Sequence, residues 1–362
     1  MTAMDAVVLD EWGGDLTVDS VPKPEPEAHE VRIEVRACGV TRTNENAIQG
    51  GLDDSPDLTP RIPGHECAGV VDAVGDDVTS LAVGDRVFAY FYLVCGECDA
   101  CRRGETNQCT AFGGWYGVNC DGAYAEFATL PATNALPMPG GLSFAGAAVA
   151  TDGLATPLRL CERAGVSDED TVLVIGAAGR VGIHLAQLAE RRGAHVLAAD
   201  VCDDRLAHVD QHTGPQTTTI DASEPAFVER LQAATPYGSG PTVAVDTVGD
   251  VDTLGDAWDA LAMGGRIVSL TTHHDRAFAP PLKEFVVKEA ELVGARHTTK
   301  AGAVRAARLV ADGRIDPVVR RTVTLDEVPA VHAEIQNSDS DHCDCFLNHI
   351  VVSGMSRAET GG

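Results

Sequence analysis

The sequence predicts an α/β protein of two domains, one made of short strands and turns and one made of parallel βαβ units. Three observations carry this expectation. The chain has 362 residues, more than one ordinary core holds at ~100–200 residues per domain. Up to about residue 145, glycine punctuates short runs of strand character. Around Thr171 the pattern changes to apolar strand, glycine loop, helix and strand again.

Taken in order, "HEVRIEVRA" puts Val31, Ile33 and Val35 on one face of a strand by period two, and "CAGVVDAVG" and "GDRVFAYFYLV" are further strand runs. After the first of these, "ACGVTRTNENAIQGG" opens on a cysteine and places Thr41, Arg42 and Thr43 where a loop is expected to begin. "TVLVI", Thr171 to Ile175, is a continuous apolar run of the kind buried on both faces of a parallel sheet, and it leads into "GAAGRVG". "VGIHLAQLAERRGA" carries Val181, Leu185, Leu188 and Ala189 at helical spacing, closes on Arg191 and Arg192 and stops at Gly193; "HVLAAD" is the next strand. "TVAVDTVG", the helix-like "TLGDAWDALAMGG" and "GRIVSLTT" repeat the unit, with right-handed crossovers expected. The C-terminal part reads as a helix, "AGAVRAARLVADGRI", a late strand, "FLNHIVVSG", and a tail, "MSRAETGG", expected to be disordered. There is no repeat or low-complexity linker, so the domains are expected to interleave.

Composition bounds the function. With 54 acidic and 27 basic residues the net charge is −27, which makes nucleic acid and anionic membranes poor partners. The basic residues are almost all arginine, lysine occurring only at Lys23, Lys283, Lys288 and Lys300, and the acids are spread along the chain. That pattern points to a halophile's salt-rich cytoplasm, where ionic strength screens self-repulsion; an acidic protein of ordinary origin is the alternative. No apolar run approaches the ~18 residues of a membrane span, and "MTAMDAVVLDEWGG" has acids where a signal peptide carries bases, so a soluble cytoplasmic protein is expected. In that setting the 11 cysteines read as metal ligands or core thiols.

Two constellations carry chemistry. Gly176, Gly179 and Gly182 let the backbone approach a pyrophosphate, whose charge then sits at the helix N-terminus opened by Arg180 and Val181. Asp200 ends the next strand, where an acid accepts hydrogen bonds from the ribose hydroxyls and repels a 2′-phosphate, pointing to NAD; Arg205 keeps NADP open, since a phosphate can recruit it. The second constellation is "CGECDACRRGETNQC". Its Cys95, Cys98, Cys101 and Cys109 are spaced to converge on one tetrahedral zinc with no open position, hence a structural site. Cys67, Cys120, Cys161 and Cys202 read as small core residues.

With "GHE" at Gly64 to Glu66, "VGDRV" at Val83 to Val87 and "DGAYAEF" at Asp121 to Phe127 added in this order, the chain resembles the zinc-dependent medium-chain alcohol dehydrogenases from about residue 5 to residue 352. The resemblance implies a GroES-like catalytic domain from residues 1–146 and 296–362, with the zinc lobe at 93–112, and a Rossmann NAD-binding domain, a doubly wound parallel sheet, at 147–295. It further implies an active-site cleft at their junction and homodimers or homotetramers.

In this family a motif similar to "CGVCRTD" gives its second cysteine to the catalytic zinc; that position here is Thr41, while Cys38 matches a cysteine that is not a ligand. The remaining ligands implied are His65, Glu66 beside it, and Asp152 in "AAVATDGLATP". Zinc accepts such nitrogen and oxygen donors with the fourth position left to water or substrate, and Thr41 is then expected to hydrogen-bond a bound water. A site this rich in oxygen is harder and more open to other divalent ions. Thr43 matches the family's proton-relay hydroxyl, whose usual histidine partner aligns with Asn46; Arg42 falls where some relatives contact the pyrophosphate. "FGGWYGVN" brings Trp115 and Tyr116 to a region that lines the substrate cleft in relatives, with core packing an equal alternative. His273, His274 and the "HCDC" of His342 to Cys345 lie outside the family's ligand positions.

The function implied is NAD-dependent, zinc-dependent oxidation of a secondary alcohol, polyol or sugar, or the reverse reduction. One alternative is a zinc-free quinone or enone reductase of the same superfamily, which Thr41 and "GAAGRVG" favour and "GHE", Asp152 and the four-cysteine lobe oppose. Another is a nucleotide-binding protein whose metal site has decayed.

Overall fold

The computed structural model describes residues 2–270 and 276–336, together with the backbone of 349–351. His273, His274, the "HCDC" of His342 to Cys345 and the "MSRAETGG" tail lie outside the described residues. The chain divides into two compact units, Met1–Asp152 with Thr299–Gly362, and Gly153–Thr298. The expectation from sequence sets these divisions at 146/147 and 295/296; Asp152 falls in the first unit, with His65 and Glu66.

The first unit opens with an antiparallel pair, β1 (Ala3–Leu9) and β2 (Leu16–Pro22). In β3 (Glu30–Val40) the period-two reading holds, with Val31, Ile33 and Val35 buried and the residues between them half-exposed. The segment after it is a helix, α1 (Arg42–Ile48), where the sequence led us to expect a loop. Thr41, in extended conformation, caps it: the side-chain oxygen accepts the Asn44 N–H at 3.2 Å. The apolar pattern hides this helix because two of its four buried residues, Asn44 and Glu45, are polar. Next come β4 (Glu66–Val74), β5 (Arg86–Ala89), the one-turn α2 (Asp99–Arg102), β6 (Phe127–Pro131), β7 (Ala135–Pro137) and α3 (Phe144–Thr151). β5 is shorter than its sequence run, because Tyr90 N–H leaves the ladder for the carbonyl of Asn134.

The second unit starts with α4 (Ala155–Ala164) and then alternates: β8 (Thr171–Ile175), α5 (Arg180–Arg191), β9 (His195–Asp200), α6 (Asp203–His212), β10 (Thr217–Asp221), α7 (Phe227–Ala233), β11 (Val243–Asp246), α8 (Val251–Ala260), β12 (Arg266–Ser269), α9 (Leu282–Lys288) and β13 (Glu291–Gly294). The strands form one parallel sheet in the order β10-β9-β8-β11-β12-β13. This is the doubly wound arrangement, whose order reverses between β8 and β11. Leu173, Leu197, Ala244 and Ile267 fill one core cluster with Leu254 and Trp258. Each such buried Leu or Ile contributes roughly 1.5–3 kcal/mol by leaving water. Cys161 is a buried free thiol as expected, whereas Cys202 is disulfide-bonded.

The chain then returns to the first unit with α10 (Lys300–Ala311), β14 (Arg321–Val323), α11 (Val328–Gln336) and β15 (His349–Val351). The sheet order is β14-β15-β3-β4-β5-β7, with β6 also paired to β3. β15 runs antiparallel to the end of β3, with His349, Ile350 and Val351 opposite Val40, Gly39 and Cys38. Among the described residues no helix is long and apolar enough to cross a membrane.

Candidate active site

His65, immediately before β4, Glu66, its first residue, and Asp152, the C-cap of α3, are all buried. One ligand atom from each lies within 4.8 Å of the other two. His65 Nε2 stands 3.7 Å from Asp152 Oδ2, and the ring of Phe91 lies 4.4 Å from the imidazole. Strand register positions Glu66: it is opposite Gly39, and a β-carbon on Gly39 would come 3.1 Å from Glu66 Cβ and strike its carboxylate. Two carboxylates brought this close out of water are able to share one cation. An imidazole with two carboxylates is a donor set that zinc and similar divalent ions accept, so the residues fit the metal the sequence implies.

The tautomer of His65 follows from its neighbours. Asn44 Nδ2 donates to the Gly39 carbonyl at 3.1 Å, and a carbonyl only accepts. The amide therefore turns its Oδ1 to His65 Nδ1, which must carry the ring proton. The lone pair is then on Nε2, the nitrogen that faces Asp152. Asn44 Nδ2 also donates to Tyr124 Oη, which stands 3.2 Å from the Gly39 carbonyl and 3.2 Å from His332 Nε2. His332 Nδ1 is 2.7 Å from Glu45 Oε2, and Gln49 donates to Glu45 Oε1 at 3.0 Å. Burial pushes the Tyr124 hydroxyl well above its ordinary pKa. Burial alone would also raise Glu45, but hydrogen bonds from His332, Gln336 and Gln49 outweigh it and hold the carboxyl below its usual range. The sequence reading missed Asn44, Tyr124, His332 and Glu45. The signal available was the threonine three residues before Asn44, a helix-capping spacing, and a histidine inside the apolar "VPAVHAEI".

Thr41 is buried and its oxygen accepts the Asn44 N–H at the α1 cap, which leaves the hydroxyl hydrogen and a second lone pair for another partner. Arg42 and Thr43 are the first two residues of α1, exposed and half-buried; Asn46 is exposed. Trp115 is half-buried with its edge on Phe112 at 5.0 Å, and Tyr116 is buried outright, a core residue.

In the second unit the glycine loop joins β8 to α5. Gly176 takes φ +76°, a left-handed conformation that favours glycine, while its N–H and that of Ala177 both reach the Ala199 carbonyl, at 2.9 and 3.0 Å. Gly179, extended, is the N-cap of α5, and Arg180 and Val181 open the helix half-exposed. Gly182 lies one turn in, against the loop backbone. Asp200 does more than the sequence led us to expect: Oδ2 accepts the Ala178 N–H at 3.0 Å, tying the loop to the end of β9. Its Oδ1 accepts the Val201 N–H at 2.9 Å and stands 3.5 Å from the Arg205 guanidinium, so the arginine the sequence offered to a phosphate is turned to the acid. The reversal of strand order beside β8 is where ligands bind in such sheets.

The four cysteines converge in the first unit around α2. Cys109 Sγ is 3.5 Å from Cys95 Sγ and 3.9 Å from Cys98 Sγ. Thiolates bonded to one zinc at ~2.3 Å stand about 3.8 Å apart, so the spacing fits that ion. Backbone N–H groups of Cys101 and Thr110 pull the Cys98 thiol down to about 5, whereas burial and its sulfur neighbours push Cys101 up to about 12.

Two family profiles match: the alcohol dehydrogenase GroES-like domain over residues 27–140 and the zinc-binding dehydrogenase domain over residues 181–311. The chain is 31% identical to an acryloyl-coenzyme A reductase of Metallosphaera sedula, over 90% of this chain and 94% of that protein. It is 28% identical to an NAD-dependent alcohol dehydrogenase of Sulfurisphaera tokodaii, over 92% of this chain and 97% of the relative. A solved thermostable alcohol dehydrogenase from Pyrobaculum aerophilum, with cobalt and zinc bound, superposes with a TM-score of 0.83 at 27% identity, covering 97% of this chain and 100% of that one. The chain therefore belongs to the zinc-type medium-chain alcohol dehydrogenase family, oxidoreductases that pair a GroES-like domain with a Rossmann domain for a nicotinamide nucleotide.

Proposed function

We propose that the chain is an NAD-dependent, metal-dependent dehydrogenase that moves a hydride between nicotinamide and a secondary alcohol, polyol or sugar, in either direction. The observation that carries this reading is the convergence of His65, Glu66 and Asp152, all buried, within 4.8 Å of one another. When bound, a divalent ion supplies Lewis acidity at the substrate oxygen and nicotinamide supplies the hydride acceptor. His65 offers Nε2 because Asn44 occupies Nδ1. Glu66 and Asp152 bring two negative charges that match the double charge of the ion. Thr43, in the first turn of α1 and half-buried, is the hydroxyl we assign to relay the substrate proton, accepting it while its own hydrogen passes on to solvent. Asp200 accepts the ribose hydroxyls and, with Arg205 held against it, leaves a 2′-phosphate facing an acid, which favours NAD over NADP. The four cysteines hold a second, structural zinc. The outer edge of β13, which pairs with no further strand among the described residues, and the exposed Leu282, Val286 and Leu292 support a homodimer or homotetramer.

A second reading has two observations in its favour. Thr41 gives its oxygen to a helix cap where a thiolate ligand is expected, and the relative from Metallosphaera sedula is named as a reductase. A reductase acting on a polarised double bond with nicotinamide alone would need only the structural zinc. Elemental analysis of the purified protein separates the two: two zinc equivalents per chain are expected, and one would overturn the metal-dependent reading.

Cofactor choice gives a further expected result. Asp200→Ala frees Arg205 and removes the acid, so the ratio of kcat/KM for NAD over NADP is expected to fall about 10- to 100-fold, the worth of one charge-assisted hydrogen bond at ~1.5–3 kcal/mol. An unchanged ratio in steady-state assays with both cofactors would mean that the ribose contact lies elsewhere.

A further inference from the structure

We infer that Tyr124, His332 and Glu45 are positioning residues that act on His65 through the side-chain amide of Asn44. The inference rests on the proposed role of His65, Glu66 and Asp152 as a divalent-ion site. A carboxylate in place of the Asn44 amide would accept a hydrogen bond in either orientation, so nothing would need to hold it. An amide has two unlike ends. Rotated by half a turn, Asn44 would present its NH₂ to His65 Nδ1; the ring proton would have to move to Nε2, and the lone pair aimed at the ligand cluster would be lost.

The surroundings of Asn44 oppose that rotation. Its amide hydrogens go to the Gly39 carbonyl and to Tyr124 Oη. The carbonyl is a fixed acceptor, but the tyrosine hydroxyl is an acceptor only while its own hydrogen points elsewhere. Two groups draw that hydrogen away from Asn44 or present a proton of their own: the Gly39 carbonyl and His332 Nε2, both 3.2 Å from Tyr124 Oη. With His332 neutral, Tyr124 donates to Nε2; with His332 cationic, Nε2 donates to Tyr124 and the tyrosine hydrogen turns to Gly39. Either way the lone pair facing Asn44 is kept. Glu45 fixes His332 in turn, its Oε2 lying 2.7 Å from Nδ1 and accepting that proton. The string draws on α1, the "DGAYAEF" segment and α11, and each of its side chains is buried. Buried polar groups linked this fully specify one arrangement rather than several.

Zinc alone is the probe for the test. The dissociation constant of the zinc lost on His65→Ala is measured by competition with a fluorescent chelator, and unfolding by denaturant is followed in parallel. Tyr124→Phe keeps the ring and removes the hydroxyl, and is expected to weaken that zinc about tenfold, within the 10- to 100-fold range of outer-sphere changes, while the four-cysteine zinc is unaffected. His332→Gln is expected to weaken it in the same direction and serves if Tyr124→Phe is insoluble. In an Asn44→Ala background Tyr124→Phe is expected to change nothing further, since the route to His65 is already cut. A purely structural network would instead lower stability with the zinc constant unmoved, and that result in both single variants would overturn the inference. Wild-type protein holding only one zinc equivalent would overturn the proposed metal site as well, so the two failures are distinct.

Discussion

His65→Ala is expected to cut turnover about a thousandfold or more while NADH binding and the four-cysteine zinc persist. A Lewis acid stabilises a developing oxyanion by several kcal/mol, and each ~1.4 kcal/mol is a decade in rate. His65 is the neutral donor of the set, and a methyl group in its place leaves Glu66 and Asp152 facing each other with no nitrogen ligand. The glycine loop and Asp200 belong to the other unit, so nucleotide binding is expected to be unaffected. The measurements are kcat with a panel of alcohols and sugars at high salt, NADH fluorescence, and zinc per chain falling from two equivalents to one. Retained turnover would falsify the assignment of His65 as a ligand.

Gly182→Ala is the second large effect, and it acts on the nucleotide. A β-carbon there would lie 2.7 Å from Ala177 Cα and collide with the Gly176 carbonyl, both fixed backbone. α5 and the loop must then separate, which costs about 1–3 kcal/mol of stability and displaces the N–H groups that face a pyrophosphate. NADH affinity is expected to fall at least about tenfold. Gly255→Ala in α8 is the control: beyond its own helix no atom of the described residues lies within 4 Å of its added carbon, and alanine in a helix interior is expected to gain up to ~1 kcal/mol. If the two variants bind NADH equally, close contact at Gly182 is not what shapes the loop.

The parts legible in the sequence are those whose chemistry repeats locally. Thr171 to Asp200 reads as strand, loop, helix, strand because burial on both faces forces an unbroken apolar run and the turn demands glycine. The four cysteines lie within fifteen residues and declare themselves by spacing. Where burial is one-sided or absent the signal fades: β13, exposed at the sheet edge, and β10, largely threonine, passed unread. α1 was hidden by its own buried polar residues. The support behind His65 was out of reach for another reason, since Glu45 and His332 stand 287 positions apart and no local period links them.

The discontinuous first unit also sets an order on synthesis. The ribosome releases Gly153 to Thr298 in one unbroken stretch, and a domain so encoded folds as soon as it emerges. The nascent chain by then already carries every cysteine of the lobe and all three prospective ligands, yet α10, α11 and β15, which pack on α3, hold Glu45 and flank β3, have not been made. On the proposed metal site, a cation captured early would meet an unfinished cage, so secure loading would wait until α10, α11 and β15 have been made.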